Sequence, residues 1–162
     1  MPRVQTAHFG IVEYESGTEI EFSAGLPAFE TEHSFIALQP PGYEPLLFLQ
    51  SLTTPQLAFL AIAVQNITLA YDLELSEEDA ALLGGSSPES DFEILALVAV
   101  SAQGQVTANL QAPIVIHRHR RRAIQAVQNH AAYSCRHPLG MDAGNASDGG
   151  VSSKAPEETP CS

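Results

Sequence analysis

Two histidines and four arginines in one short segment are the side chains of this sequence best suited to chemistry. His117 and His119 are two positions apart, so on a β-strand both point to the same face, as two metal ligands would. An open zinc site needs a third protein ligand, and the neighbours Arg118, Arg120 and Arg121 repel a cation. We therefore predict no metal and no other cofactor, and we interpret the two histidines as a solvated strand end.

The basic run Arg118–Arg122 suggests a second kind of chemistry, the binding of phosphates. No aromatic residue is interleaved for base stacking, and one short cluster offers few phosphate contacts. We favour a hairpin turn whose charges are paired within the protein, against its acidic face. A β-barrel module that binds nucleic acid through Arg118–Arg122 is the alternative function.

Catalytic arrangements are missing from the sequence. It contains no Gly-x-Ser-x-Gly elbow, no phosphate-binding loop and no zinc-protease helix motif. The acids Glu77, Glu78 and Asp79 are consecutive, so on a helix they splay around the axis and do not converge on one substrate. The sequence predicts a protein that is not an enzyme.

Charge is distributed unevenly along the 162 residues. Residues 1–116 hold fifteen Asp or Glu and one basic residue, Arg3, whereas residues 117–140 hold five Arg and no acid. So acidic a surface repels nucleic acid and attracts basic proteins. It also keeps a protein soluble, so from charge alone a partner surface and a solubility device both stay open.

Nothing in the sequence predicts a membrane or secreted protein. The longest apolar run, Leu57–Val64, has eight residues, and a spanning helix needs about 20. The N-terminus lacks the apolar stretch of a signal peptide, and Cys135 and Cys161 have no CxxC spacing. We expect a cytoplasmic protein with no membrane partner.

Short apolar or alternating runs bounded by turn residues recur along the chain and predict strands. The predicted strands are Gln5–Val12, Glu19–Phe22, Ser34–Leu38, Leu46–Leu52, Gln56–Val64, Leu69–Leu73, Glu93–Ser101, Val106–Leu110 and Ile114–His117. With little helix between them, they indicate a mainly β fold: a small antiparallel barrel-like or sandwich-like single domain.

One short helix is predicted from Ser76 to Leu83, with Ser76 as its cap, acids in its first turn and Gly84 at its end. A helix this short must dock, and we expect Leu75, Leu82 and Leu83 to do so. The segment Ala123–Ala132 is ambiguous between helix and strand. The domain is predicted to span 1–139, followed by a disordered acidic tail over 140–162.

Two further positions are candidates for partner contact. In Gly25-Leu26-Pro27-Ala28-Phe29, an ordered turn could present Leu26 and Phe29 as a rigid anchor, or the two side chains could fill the core, which we favour. The Asn109 amide is expected to satisfy local backbone groups rather than a partner. Including the helix acids, the predicted partner-binding residues are Leu26, Phe29, Glu77, Glu78, Asp79 and Asn109.

Three motifs carry a resemblance to a known family. They are Gly25-Leu26-Pro27-Ala28-Phe29, the segment from Thr107 to Ile116, and Tyr133-Ser134-Cys135-Arg136-His137-Pro138-Leu139. In this order and at about this spacing they resemble the flagellar assembly factor family FliW, over roughly residues 4–140. The family usually has glycine where this chain has Ala28, so Ala28 must avoid positive φ or accept strain. The segment 140–162 is a second departure.

The resemblance implies a non-catalytic bacterial cytoplasmic protein that binds two partners. One is the RNA-binding translational repressor CsrA, which the family keeps from silencing flagellin messages. The other is flagellin, for which the family acts as chaperone and sensor. For this chain we therefore expect a monomer that binds CsrA and flagellin and makes no direct contact with nucleic acid.

Overall fold

Strands dominate the computed structural model, which describes residues 1–85, 87–129 and 133–142 of the chain. Within these residues lie one short α-helix, α1 (Glu77–Leu82), and two 3₁₀ turns, at Val64–Asn66 and Glu89–Asp91. The strands in chain order are β1 (Arg3–Thr6), β2 (Gly10–Glu13), β3 (Ile20–Glu21), β4 (Ser34–Leu38), β5 (Leu46–Ser51), β6 (Ala58–Ala63), β7 (Phe92–Val100), β8 (Gln105–His117), β9 (Ala123–Gln125) and β10 (His137–Asp142). The predicted mainly β fold with one short helix is confirmed.

The strands form two antiparallel sheets of very different size. β1 and β2 pair as a separate hairpin. The large sheet has the order β10-β8-β7-β6-β5-β4-β3, and β9 pairs with the second half of β8. Among the described residues its two edges meet through a single parallel bridge between Glu21 and Arg122, so the curled sheet stays open and sandwich-like.

The large sheet curls because β3 to β9 all bury side chains in one inner cluster. Its fully buried members include Phe35 of β4, Leu49 of β5 and Ile114 of β8. The residues that follow on β6 and β7, Ile62 and Ala96, point to the opposite face and bury a second cluster. A strand buried on both faces reads as a continuous apolar run, as Leu57–Val64 does.

The predicted strands Val106–Leu110 and Ile114–His117 are parts of one strand, β8, which contains a bulge. Leu97 pairs with Asn109 and Leu95 pairs with Ile114, so four residues of β8 lie opposite one residue of β7. Pro113, which has no N–H, sits in this bulge and accepts the Ala126 N–H at 2.9 Å. A bulge suits proline, because the ladder there requires no N–H from it, and the two predicted strands are therefore one.

Two other predicted strands were wrong, one of them only in part. Gln5–Val12 is not one strand, because the chain reverses at residues 7–9 between β1 and β2. Leu69–Leu73 pairs with no ladder, although the run alternates in hydrophobicity. The ambiguous segment from Ala123 begins as the short strand β9, and its residues 130–132 lie outside the described residues.

The predicted helix is confirmed, with Ser76 as its N-cap: the Ser76 hydroxyl accepts the Asp79 N–H at 3.0 Å. Leu83 is fully buried and docks the helix, but Leu82 is 36% exposed, so one of the three expected anchors faces outward. At the other end of the chain, β10 continues to Asp142, past the predicted boundary at Leu139. The rest of the predicted tail, 143–162, lies outside the described residues.

Candidate protein-docking face

The Gly25–Phe29 turn begins with a glycine whose replacement by any other residue would destabilise the turn. Gly25 has φ of +70°, a backbone conformation that favours glycine. A Cβ at this position would lie 2.5 Å from the backbone oxygen of Glu30. The close return of the chain at Glu30 therefore depends on the absence of a side chain at Gly25.

Ala28 adopts the strained conformation with positive φ and does not avoid it. Its φ is +71°, in the left-handed region, within a tight turn closed by reciprocal Leu26 and Phe29 backbone hydrogen bonds of 3.3 and 2.7 Å. A left-handed alanine costs roughly 1–2 kcal/mol. The Glu30 carboxylate accepts the Ala28 N–H at 3.1 Å and supports this conformation.

The turn buries one of its two apolar side chains and presents the other. Leu26 is 3% exposed and belongs to the inner cluster, whereas Phe29 is 39% exposed. The Phe29 ring rests edge-on against Phe59, with centroids 5.4 Å apart, and Phe59 lies 6.0 Å from buried Phe35. Leu26 therefore lies in the core, whereas Phe29 is an exposed aromatic residue whose ring packs on Phe59.

A carboxylate that sequence reasoning did not single out ties this turn to the β5–β6 connection. Glu32 accepts hydrogen bonds from the hydroxyls of Thr54 at 2.6 Å, Ser51 at 2.7 Å and Thr53 at 3.1 Å. These hydroxyl donors, Thr54 foremost, lower the pKa of the Glu32 carboxyl. Glu32 therefore stays ionised close to Phe29, and the run Glu30-Thr31-Glu32 was its only signal in the sequence.

The helix acids lie on a different part of the molecule. Glu77 and Glu78 are exposed and Asp79 is half-buried. Through Leu83, α1 packs on the cluster that contains Val115 of β8 and Ile124 of β9, whereas the Gly25–Phe29 turn packs on the inner cluster. The helix acids and the Gly25–Phe29 turn are therefore packed on two separate clusters.

Asn109 has a local role at the β8 bulge. Its side-chain oxygen accepts the N–H groups of Gln111 at 3.0 Å and Ala112 at 3.1 Å. These donors lie in the stretch of β8 that has lost its regular pairing with β7. The amide thus satisfies the bulge, as expected for that side chain.

The basic turn (Arg118–Arg122) is organised by a buried neutral histidine. His117 is 3% exposed, which corrects its interpretation as a solvated strand end. Its Nδ1 accepts the N–H groups of His119 at 3.2 Å and Arg120 at 3.1 Å, so the proton lies on Nε2, 3.1 Å from the Ser87 hydroxyl. Burial, followed by the Arg120 charge, lowers the pKa of His117.

Two arginines of the basic turn are directed to main-chain carbonyls. Arg120 reaches the carbonyls of Leu83 and Gly85, at the end of α1, at 3.4 Å each. Arg121 donates to the Thr18 carbonyl at 3.0 Å. The expected pairing of the Arg120 and Arg121 charges with the acidic face is not what these bonds show, because all three acceptors are carbonyls; a carboxylate, Asp91, faces His119 at 3.8 Å. The side chains of Arg118, Arg120 and Arg122 are exposed.

Comparison with known proteins identifies the family that shares this geometry. A family model described as FliW protein matches residues 3–139, which include the Gly25–Phe29 turn and the β8 bulge. The chain belongs to the FliW family. The resemblance noted from the three motifs is thereby confirmed.

Curated relatives span nearly the same length as this chain's domain. A flagellar assembly factor FliW from Syntrophotalea carbinolica is 34% identical over 139 residues, covering 86% of this chain and 99% of the relative. The one from Bacillus subtilis is 30% identical over 138 residues, covering 85% and 96%. A crystal structure of the flagellar assembly factor FliW matches with a TM-score of 0.74 at 30% identity, over 85% of this chain and 96% of that one.

Neither a membrane-spanning helix nor a cluster of metal ligands occurs in the described part of this FliW-family chain. No helix there is both long and apolar enough to cross a bilayer. Nor do three or more His, Cys, Asp or Glu side chains in those residues gather as metal ligands would.

Proposed function

We propose that this FliW-family protein is a non-catalytic flagellar assembly factor that binds a CsrA-type translational repressor and so relieves repression of flagellin translation. It also binds flagellin, as chaperone and sensor, and works as a monomer in the cytoplasm. Membership of the FliW family is the observation that carries the proposal.

Charge supports a basic partner. Residues 1–116 carry fifteen acidic residues against one basic residue. Complementary charge mainly raises the association rate of two proteins. A strongly negative surface brought close to an RNA-binding protein also disfavours RNA, without having to cover the RNA site itself.

The shape of the Gly25–Phe29 turn supports a fixed anchor. Phe29 is an exposed aromatic residue, the residue class that dominates binding energy at interfaces. Its turn is held by hydrogen bonds through Glu30 and Glu32, so little order has to be created on binding. We propose Phe29 as the anchor, with Glu30 and Glu32 facing the basic surface of the repressor.

A three-component gel shift tests the proposal. The protein is added to a preformed complex of CsrA with a flagellin leader RNA, and separately to the RNA alone. We expect release of the RNA from CsrA and no shift of RNA by the protein itself. Direct RNA binding at physiological salt would instead support the alternative function, a nucleic-acid module using Arg118–Arg122.

We propose that the predicted tail is dispensable for both folding and CsrA binding. Because β10 reaches Asp142, a truncation should end there and remove residues 143–162. We expect the truncated protein to keep its melting temperature and its affinity for CsrA, since the removed residues include only one aliphatic residue larger than alanine, Val151. A loss of several degrees would show that the segment belongs to the folded domain.

A further inference from the structure

A groove that the Gly25–Phe29 turn does not touch lies beside β7. Residues from the segment 63–71 form one wall, and residues from the segment 89–94, at the start of β7, form the other; we call this groove the side groove. Residues that line it include Gln65, Thr68, Leu69, Tyr71, Glu93 and Arg118. The most exposed large apolar side chain of the described residues, Leu69 at 92%, stands at this groove.

The wall that carries Leu69 is fixed although it belongs to no ladder. The Tyr71 hydroxyl donates to the Leu110 carbonyl, and the Tyr71 ring stacks on Tyr133 at 4.2 Å. The Asp72 N–H donates to the Tyr133 hydroxyl at 2.6 Å. Fully buried Gln128 bonds both the N–H and the carbonyl of Glu74, at 2.7 and 2.9 Å. These bonds hold the segment while leaving Leu69 in solvent.

The size of the side groove selects the kind of occupant. Its volume is about 210 Å³, below the roughly 300–1,000 Å³ of sites that enclose small-molecule ligands and cofactors. One long side chain of a protein partner fits this space better than a free ligand. The exposed Leu69 then provides apolar contact for the flanking part of that partner.

The charged residues that line the side groove favour a positively charged occupant. Glu89 and Glu93 both line the side groove, against one cation, Arg118. We propose that the side groove receives a basic side chain from the protein partner, with an aliphatic neighbour packed on Leu69. This inference deepens the proposed function, because it assigns a second contact surface for the basic repressor, apart from Phe29.

Matched variants of the full-length protein test the side groove by their affinity for CsrA. We expect Glu93→Gln and Leu69→Ser each to weaken binding about tenfold. The controls Glu15→Gln and Ile11→Ser remove an exposed acid and an exposed aliphatic residue elsewhere, and should stay within twofold of wild type. Arg118→Gln should tighten binding severalfold, because it removes the cation that competes for Glu89 and Glu93. Weaker binding of Arg118→Gln would mean an acidic occupant and overturn the proposal.

The design separates failure of the side groove from failure of the proposed function. If wild type binds CsrA and the Glu93 and Leu69 variants bind equally well, the side groove is not the contact. If wild type does not bind CsrA, the proposed function is wrong, and N-acetyl-arginine amide becomes the probe. Its titration into ¹⁵N-labelled protein should then shift amides of Thr68, Leu69 and Glu93 in wild type but not in Glu93→Gln. Absence of those shifts would overturn the side groove.

Discussion

Two tight turns of this protein share a strained backbone conformation but use their side chains differently. In the described residues, positive φ at a non-glycine residue occurs at Ala28, with +71°, and at Arg121, with +55°. At the Gly25–Phe29 turn, Phe29 is exposed close to Glu32, whose carboxyl has a lowered pKa. At the basic turn, Arg121 donates to the Thr18 carbonyl, and the exposed Arg120 side chain reaches the carbonyls of Leu83 and Gly85. One strained turn thus presents an aromatic ring to solvent, and the other fastens neighbouring segments through their main-chain carbonyls.

The difference explains why a count of charges misleads for the basic turn. Arg118–Arg122 looks like a phosphate-binding run in the sequence, yet two of its side chains fasten α1 and the connection between β2 and β3. In the Gly25–Phe29 turn, the Glu30 and Glu32 carboxylates also accept hydrogen bonds within the protein, and the lowered pKa of Glu32 keeps that carboxyl ionised. Both turns therefore use charged side chains in folding, and the proposed docking role of the Gly25–Phe29 turn rests on its exposed Phe29 ring.

The largest expected effect comes from Gly25→Ala. A Cβ 2.5 Å from the Glu30 backbone oxygen forces the chain apart, in addition to the cost of a left-handed alanine. We expect the free energy of unfolding to fall by roughly 3 kcal/mol or more. Gly17→Ala is the matched control, because Gly17 also has positive φ, +92°, but its Cβ would meet nothing within 4 Å. Equal losses in chemical denaturation of the two variants would show that the close contact with Glu30 is unimportant.

The next effect distinguishes the arginines of the basic turn. Arg121→Met removes the guanidinium bond to the Thr18 carbonyl, at a partly buried position, and should lower the free energy of unfolding by about 1–2 kcal/mol. Arg122→Met changes an exposed side chain and should alter it by less than about 0.5 kcal/mol. Urea unfolding of both variants gives the comparison. If Arg122→Met costs as much as Arg121→Met, the inward use of Arg121 is not what stabilises the turn.

The two turns should lose stability in different pH ranges. The pKa of His117 is lowered in the fold, so its contribution is complete above about pH 6.5 and is lost as the pH falls below that value. The pKa of Glu32 is also lowered, so its contribution is complete above about pH 4.5 and is lost below it. Unfolding curves from pH 8 to 3 should show both losses. His117→Gln should flatten the first and Glu32→Gln the second, and an unchanged profile in either variant would contradict the assignment.

The smallest expected effect is that of Ala28→Gly. Glycine adopts positive φ without the steric cost of alanine, but it also gains more freedom in the unfolded chain. The two terms oppose each other, so we expect a net stabilisation of about 0.5 kcal/mol or less. Thermal unfolding against wild type measures it. A clear loss of stability would mean that the Ala28 methyl group makes a favourable contact that outweighs the strain.

Sequence patterns predicted most strands and the helix because burial and capping leave local signals. Ser76, the three acids after it and Gly84 marked α1 within one residue of its ends. The alternation of Leu69–Leu73 predicted a strand wrongly, since its hydrogen bonds come from Tyr133 and Gln128, more than fifty residues away. No local pattern encodes such partners.

The candidate surface was predictable in position but not in detail. The Gly25–Phe29 motif located the turn, yet only the fold separates Leu26, which is buried, from Phe29, which is exposed. Glu32 escaped notice because its three hydroxyl donors lie at the end of β5 and on the β5–β6 connection, about twenty residues along the chain. His117 was misjudged for the same reason, since Ser87 reaches its ring from another part of the chain.

The affinity of purified CsrA for Phe29→Ser, set beside that for Arg122→Ser, tests the contrast between the two turns most directly. Both side chains are exposed, so both variants should fold, which circular dichroism can verify. We predict that Phe29→Ser weakens binding tenfold or more, about 1.4 kcal/mol, and that Arg122→Ser leaves it within twofold. Wild-type affinity in Phe29→Ser, together with a large loss in Arg122→Ser, would contradict the assignment of the Gly25–Phe29 turn as the docking surface.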